Sequence, residues 1–304
     1  MKIVGTGSSV PVKIMTNAEM STIVDTSDEW IVSRTGIRTR HYAQDETVIS
    51  LAGAAARRAL EAASTAGIDR SDIALVICAT LSAERRCPAC ACLLQRDLGL
   101  PENILAFDLN AACSGFIYAL ITAESLLRPG QHALVIGSET LTTLTDFTDR
   151  SSCVLFGDGA GAVVVTPSDE PFSWVTSVTG DDAPLAVEKY IKMDGNAVFQ
   201  FAVPTLVRSI REVCAKAAIE LDQVDLLICH QANERIIRSA AKRLGLPLER
   251  FFMNLANYGN TSAASIPLAL DEAVRAGMLQ KGSRVVLAGF GGGLTSGAIC
   301  MEWQ

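Results

Sequence analysis

The sequence of 304 residues has no uninterrupted run of about 18 apolar residues, so no membrane-spanning helix is expected. It does not open with a charged segment followed by an apolar one, and secretion is not expected either. Charge is sparse, with 19% Asp, Glu, Lys and Arg, and there is no basic excess, the net charge being −7. A nucleic-acid binder needs a basic face, so that class is set aside, with local basic patches left open. The nine cysteines show no disulfide pattern, and Cys78, Cys229 and Cys300 lie inside apolar runs where they act as small hydrophobes. A reducing, cytoplasmic setting is the expectation. No Gly-x-Ser-x-Gly elbow is present, which disfavours a serine hydrolase. Cys87 and Cys90 form a CPAC element with Cys92 nearby, but no second ligand pair stands at zinc spacing, so no metal is expected. In FGDGAGA (156–162) the glycines lead into a strand, AVVV, and not into a helix, which excludes a dinucleotide fingerprint.

Nearly half the residues, 49%, are apolar, which implies a compact protein with a large core. The chain is organised around FDLNAACSGFIYAL, Phe107 to Leu120. It begins as the end of a buried strand, passes through small residues and enters an apolar run with helical spacing. Other segments repeat that plan. SDIALVICAT (71–80) answers QVDLLICHQA (223–232), FDLNAACSGFIYAL answers MNLANYGNTSAASIPLAL (253–270), and HALVIGSE (132–139) answers SRVVLAGF (283–290). The offset is about 150 residues, half the chain, as expected for a duplicated unit and not a short-period solenoid. An α/β fold of two β-α-β-α-β halves is therefore predicted, with residues 1–165 and 166–304 as the two halves. A pseudo-twofold would bring equivalent strand ends together, where open α/β sheets place ligands.

That junction gathers candidate chemistry. Cys113 sits at the bend before the helix, where unpaired N–H groups and the helix dipole favour a thiolate able to take an acyl group. A lone buried cysteine is usually structural; His230 in CHQAN and Asn260 in YGNTSAAS, at matching points of the repeat, argue for more. The Gly291-Gly292-Gly293 loop can present backbone N–H groups to an oxyanion. Near the N-terminus, Trp30, Arg34, Arg38 and Arg40 combine an aromatic plate with cations, suited to a phosphate-bearing aromatic ligand.

The ordered motifs TSDEWIVSRTGIR, AACSGF, FGDGAGA, CHQAN, YGNTSAAS and FGGG resemble the β-ketoacyl-(acyl carrier protein) synthase III family of the thiolase superfamily, nearly end to end. The resemblance implies a homodimeric thiolase-like fold, a five-layer αβαβα sandwich, and two half-reactions without a resident cofactor. Acyl-CoA acylates the residue matching Cys113. Malonyl-acyl carrier protein then loses CO2 and its carbanion attacks the acyl-enzyme, with His230 and Asn260 bonding the thioester oxygen. Gly292 matches the oxyanion-hole glycine, beside the N–H of Cys113, and Phe290 a residue flanking the malonyl group. Trp30 and Arg150, with Thr26 and Arg34, match the CoA-adenine site; Gly195, Asn196 and Asn233 match the pantetheine tunnel. Arg235, Lys242 and Arg243 match a basic patch that docks an acidic carrier protein.

The chain departs from the family pattern in three places. Cys87 stands where well-known members place a Phe in the partner's acyl pocket; the segment between Gly180 and Gly195 is short; and Gln200 replaces a docking Lys. Three rival readings remain: a related acyltransferase or starter synthase of secondary metabolism, a Cys-His-Asn protease in which the His deprotonates the Cys, and a non-enzymatic binding module.

Overall fold

A computed structural model describes residues 1–304. The first half runs β1 (Lys2–Ser9), β2 (Ile14–Thr16), α1 (Asn17–Met20), α2 (Asp28–Thr35), β3 (Thr39–His41), α3 (Val48–Ser64), β4 (Ile73–Ala79), α4 (Cys90–Asp97), β5 (Leu105–Leu109), α5 (Gly115–Leu126), β6 (His132–Glu139), α6 (Arg150–Cys153) and β7 (Gly159–Thr166). The second half follows with β8 (Phe172–Asp181), β9 (Leu185–Val187), β10 (Ile191–Met193), α7 (Gly195–Lys216), β11 (Leu226–Cys229), α8 (Glu234–Leu244), β12 (Phe251–Phe252), α9 (Leu255–Tyr258), α10 (Ser265–Arg275), β13 (Arg284–Gly291) and β14 (Gly293–Glu302).

Two five-stranded sheets carry the duplication. One has the order β1-β7-β6-β4-β5, the other β8-β14-β13-β11-β12. Position by position, antiparallel and parallel pairings coincide: the first three strands of each are antiparallel, the last three parallel. Between the sheets lie α5 and α10, whose Phe116, Ile117, Leu120, Ile266 and Leu270 pack into one core with strand residues of both. Burial on two faces explains why α5 reads as almost continuously apolar. α3 and α4 cover the outer face of the first sheet, and α7 and α8 that of the second. The layers are therefore αβαβα, the thiolase-like architecture that the motifs imply.

The first half also reaches across the second. Met20, Ile31 and Ile37 belong to the core of α7 and α8, and α2 packs beside α8 with α1 against α2. Ser27 caps α2 by accepting the Trp30 N–H at 3.1 Å, which fixes where Trp30 emerges. The first strand runs on to Ser9, with Gly5 and Gly7 letting α3 lie against it. One expectation needs correction. The glycine run near the C-terminus is no open loop: β13 and β14 are separated by Gly292 alone.

At the junction the two halves touch through backbone. A Cβ on Gly137 of β6 would lie 2.2 Å from the Ala263 carbonyl oxygen, in the turn before α10. Neither side can shift without moving a sheet. Gly137→Ala is expected to destabilise the protein by about 3 kcal/mol or more, the upper range for overpacking a core. Urea unfolding checks this, and a change within about 0.5 kcal/mol would mean the junction is softer than described.

Candidate functional site

Equivalent turns from the two halves build the floor of the site. Before α5 a single 3₁₀ turn spans Ala112–Ser114, and before α10 one spans Ser262–Ala264. Ala112 (φ +45°) and Ser262 (φ +48°), 150 residues apart, both adopt the left-handed conformation that L-residues avoid. Each kink turns the chain from a strand end into a central helix. A cavity of about 1380 Å³ opens above them. Its buried floor carries Cys113, His230, Asn260 and Phe290, beside Gly292. Trp30, Arg34, Gly195, Asn196, Asn233 and Arg235 line the same cavity on its outer, more exposed side.

Cys113 is 8% exposed, in the 3₁₀ turn rather than in the first turn of α5. Gly291 backs it: a Cβ there would meet the Cys113 Cβ at 2.8 Å. The expected easily formed thiolate is not what the resting site holds. Burial pushes the Cys113 thiol up to about 12, and the charge of Glu139 adds to the rise; a contact from Ser262 opposes it. Desolvation is the largest cause. A thiol raised in this way favours loss of its proton as the sulfur attacks.

His230 follows β11 and is 1% exposed. Burial drops its imidazole to about 3, so it is neutral at physiological pH. Its Nδ1 lies 2.7 Å from the Ser265 hydroxyl, which also accepts the Gln231 N–H at 3.4 Å. Since Ser265 receives that N–H, its own hydrogen is free for Nδ1. With Ser265 donating to Nδ1, one of the two tautomers that this contact permits, the ring proton sits on Nε2 and His230 is a neutral donor. Phe290 holds the ring edge-on, with centroids 5.3 Å apart. Asn260 is fixed in the same sense. Its backbone is clamped by Asn260 N–H to Leu155 O at 2.8 Å and Gly157 N–H to Asn260 O at 3.0 Å. Its Oδ1 accepts the Ser262 N–H at 2.9 Å, which leaves the amide NH2 to donate. The floor therefore offers two neutral donors beside a thiol, suited to an oxygen that gains negative charge.

At the mouth, the guanidiniums of Arg34 and Arg150 lie over the Trp30 ring at 4.6 and 4.3 Å. Arg150 is also 3.7 Å from Asp25. Asn233 caps α8 and donates to the Arg34 carbonyl at 3.1 Å, tying the platform to the second half. Asp194 caps α7, where Gly195 and Asn196 begin the helix. Arg235, Lys242 and Arg243 are exposed on α8. Thr26 is half-buried with an unpartnered hydroxyl, outside the cavity lining, as is Arg150. Arg40 does not belong to the cationic cluster. It is fully buried and donates to Val154 O and Asn17 Oδ1, holding the N-terminal excursion in place. Cys87 is exposed in the loop before α4 and does not line this chain's cavity.

Sequence reasoning missed Ser262, Ser265 and Glu139. The first two lie inside the quoted motif YGNTSAAS, and the parity of the repeat would have pointed to Ser262 as the counterpart of Ala112.

Models of known families match the chain twice: "3-Oxoacyl-[acyl-carrier-protein (ACP)] synthase III" over residues 107–183 and the C-terminal portion of the same synthase over residues 214–303. A Beta-ketoacyl-[acyl-carrier-protein] synthase III of Clostridium acetobutylicum is 45% identical, covering 100% of this chain and 98% of that one. Its namesake in Acholeplasma laidlawii is 48% identical over 99% and 98%. The crystal structure of 3-oxoacyl-[acyl-carrier-protein] synthase III from Aquifex aeolicus superposes with a TM-score of 0.95 at 44% identity, covering 99% of both chains.

The buried neutral imidazole has a consequence for stability. An unfolded histidine binds its proton near pH 6.5, whereas His230 in the fold does so only near 3, so stability falls as pH drops through that window. Between pH 7.5 and 5.0, wild type is expected to lose about 2 kcal/mol more than His230→Gln. Urea unfolding at the two pH values measures this, and equal losses would contradict a buried neutral imidazole.

Proposed function

The chain belongs to the 3-oxoacyl-[acyl-carrier-protein] synthase III family, and on that premise we propose how its cavity divides the two half-reactions. It is a condensing enzyme of fatty-acid synthesis, an acyltransferase that uses acyl-CoA and malonyl-acyl carrier protein. The reading of the residues rests above all on one observation: a thiol and two neutral donors share one buried floor.

In the first half-reaction Cys113 attacks the acyl-CoA carbonyl, with the backbone N–H groups of Cys113 and Gly292 facing the oxyanion. CoA leaves and the acyl group stays on sulfur. In the second, His230 Nε2–H and Asn260 Nδ2–H bond the malonyl thioester oxygen, which becomes an enolate oxygen as CO2 departs. Donors that bind this charge more strongly than the neutral carbonyl lower the barrier. A protonated imidazole is not needed, and the low affinity of His230 for a proton prevents it from idling as a cation. The same facts disfavour a cysteine protease, since His230 is a poor base and is oriented by Ser265 rather than by Asn260. Keeping both donors favours condensation over simple acyl transfer. No resident cofactor is required.

Trp30, Arg34 and Arg150, with Thr26, receive the CoA adenine and phosphates, and Gly195, Asn196 and Asn233 flank the pantetheine arm. Arg235, Lys242 and Arg243 dock the carrier protein. No helix is long and apolar enough to cross a membrane, and we read the setting as cytoplasmic. The chain works as a homodimer: β5 is the edge of its sheet, its LAFDL sequence has neither Lys nor Pro to protect that edge, and Leu105 is 56% exposed. Pairing of two such edges would bring Cys87, in the neighbouring loop, toward the partner's acyl pocket.

Incubation with a short acyl-CoA is expected to add one acyl mass to the wild type and none to Cys113→Ala; an undiminished adduct on the variant would end the assignment. His230→Ala should still load acyl groups but release CO2 from malonyl-carrier protein roughly 100-fold more slowly, the usual range for loss of one such donor. Decarboxylation at the wild-type rate would remove His230 from its role. Trp30→Ala should raise KM for acyl-CoA roughly tenfold, about 1.4 kcal/mol, with kcat little changed. An unchanged KM would refute the platform.

A further inference from the structure

The mechanism above leaves one proton unassigned, the one that Cys113 gives up on attack, and one buried acid unused. Glu139 ends β6 and has no exposure to solvent. No Lys, Arg or His pairs with it. Instead one oxygen, Oε2, collects donors: the Ser82 hydroxyl at 2.5 Å, the Thr80 hydroxyl at 3.2 Å and the Leu81 N–H at 3.2 Å. Its other oxygen, Oε1, is buried and unpartnered, as is the hydroxyl of Ser262. That hydroxyl stands within reach of both Glu139 and the Cys113 thiol without forming a full hydrogen bond to either in the resting site. Ser262 lines the cavity, is 2% exposed and is held by its left-handed backbone. A buried carboxylate with three donors on one oxygen and none on the other, facing an idle hydroxyl beside a thiol, is costly as mere structure.

We propose that Glu139, acting through the Ser262 hydroxyl, accepts the proton of Cys113 during acyl transfer. As the bond from Cys113 Sγ to the acyl carbon forms, the thiol proton passes to Ser262 Oγ and the Ser262 proton passes to Glu139 Oε1. The bond from the acyl carbon to the CoA sulfur then breaks. Glu139 returns the proton along the same path to the departing sulfur, CoA leaves as a thiol, and Glu139 is again ionised. The exchange moves one negative charge between two buried groups and adds none. That matters because each charge opposes the other's formation.

Burial raises the Glu139 carboxyl to about 7, close to working pH, where an acceptor that must also give its proton back is most effective. The titratable groups facing it are Cys113, from the turn before α5, and Cys78 on β4, which its hydrogen bond with Cys90 and then burial keep protonated; Asp108 on β5 faces Cys78 in turn. The rest of its surroundings are the hydroxyls of Thr80, Ser82 and Ser262.

The inference rests on the assignment of Cys113 as the acylated residue. Its test is the rate of acyl loading on Cys113, followed by rapid quench and intact mass with saturating acyl-CoA from pH 5.5 to 9. The wild-type rate should rise with pH to a plateau with an inflection near 7. Glu139→Gln should load roughly 100-fold more slowly, without that inflection, while condensation by enzyme already loaded falls much less. Ser262→Ala, which keeps the carboxylate and its three donors, should lose the same inflection, and it serves where Glu139→Gln fails to fold. Loading at the wild-type rate with the inflection intact in either folded variant overturns the relay alone. Equal slowing of both half-reactions with the pH profile unchanged reduces Glu139 to a structural part and also overturns it. A wild type that never loads overturns the assignment of Cys113 itself.

Discussion

Removal of water from the seam between two copies of one fold sets the character of every group in this site. The seam is closed from behind by backbone, with Gly137 against the Ala263 carbonyl and Gly291 against Cys113, so its groups meet the cavity with only a small part of their surface. Three titratable groups feel the same medium and respond by their chemistry. The thiol goes up, the imidazole goes down and the Glu139 carboxyl goes up, each toward its neutral form. Without that burial the imidazole would be protonated in part near neutral pH and the amide hydrated, and the proposed enolate would meet less preorganised donors.

The duplication explains how such a seam arises from an ordinary scaffold. Ala112 and Ser262 share a strained turn, and Asn110 occupies in the first half the place that Asn260 holds in the second, 150 residues on. By the same offset Ala263 answers Cys113, and at the strand ends Ala79 stands where the second half has His230. Each half supplies a turn of the same shape, and the two have been filled differently: one with a nucleophile, the other with donors. Symmetry gives the geometry, and its breaking gives the chemistry.

Much of this was legible in the sequence. The pairing of LLICH with LVICA and of YGNTSAAS with LNAACSG announced both the repeat and the meeting of Cys113, His230 and Asn260, because long strand and turn motifs survive duplication. What the sequence did not show depends on neighbours distant along the chain. Arg40 reads as one cation among several, yet it is buried by contacts with Asn17 and Val154. Cys113 reads as a helix-start thiolate, yet burial raises its thiol. Ser265 and Glu139 are residue types found everywhere on protein surfaces, and only the folded seam shows that one orients an imidazole and the other is alone in the dark.

The resting Trp30 is not a bare plate. Arg150 lies over its ring at 4.3 Å while held near Asp25. If an adenine stacks there as proposed, it must first displace this guanidinium, and part of its stacking energy goes into that exchange. The side chain is thus a tethered competitor for its own ligand site, always at hand and never diluted. Such a competitor would loosen the hold on acyl-CoA and on spent CoA to the same degree, since both carry the same adenine.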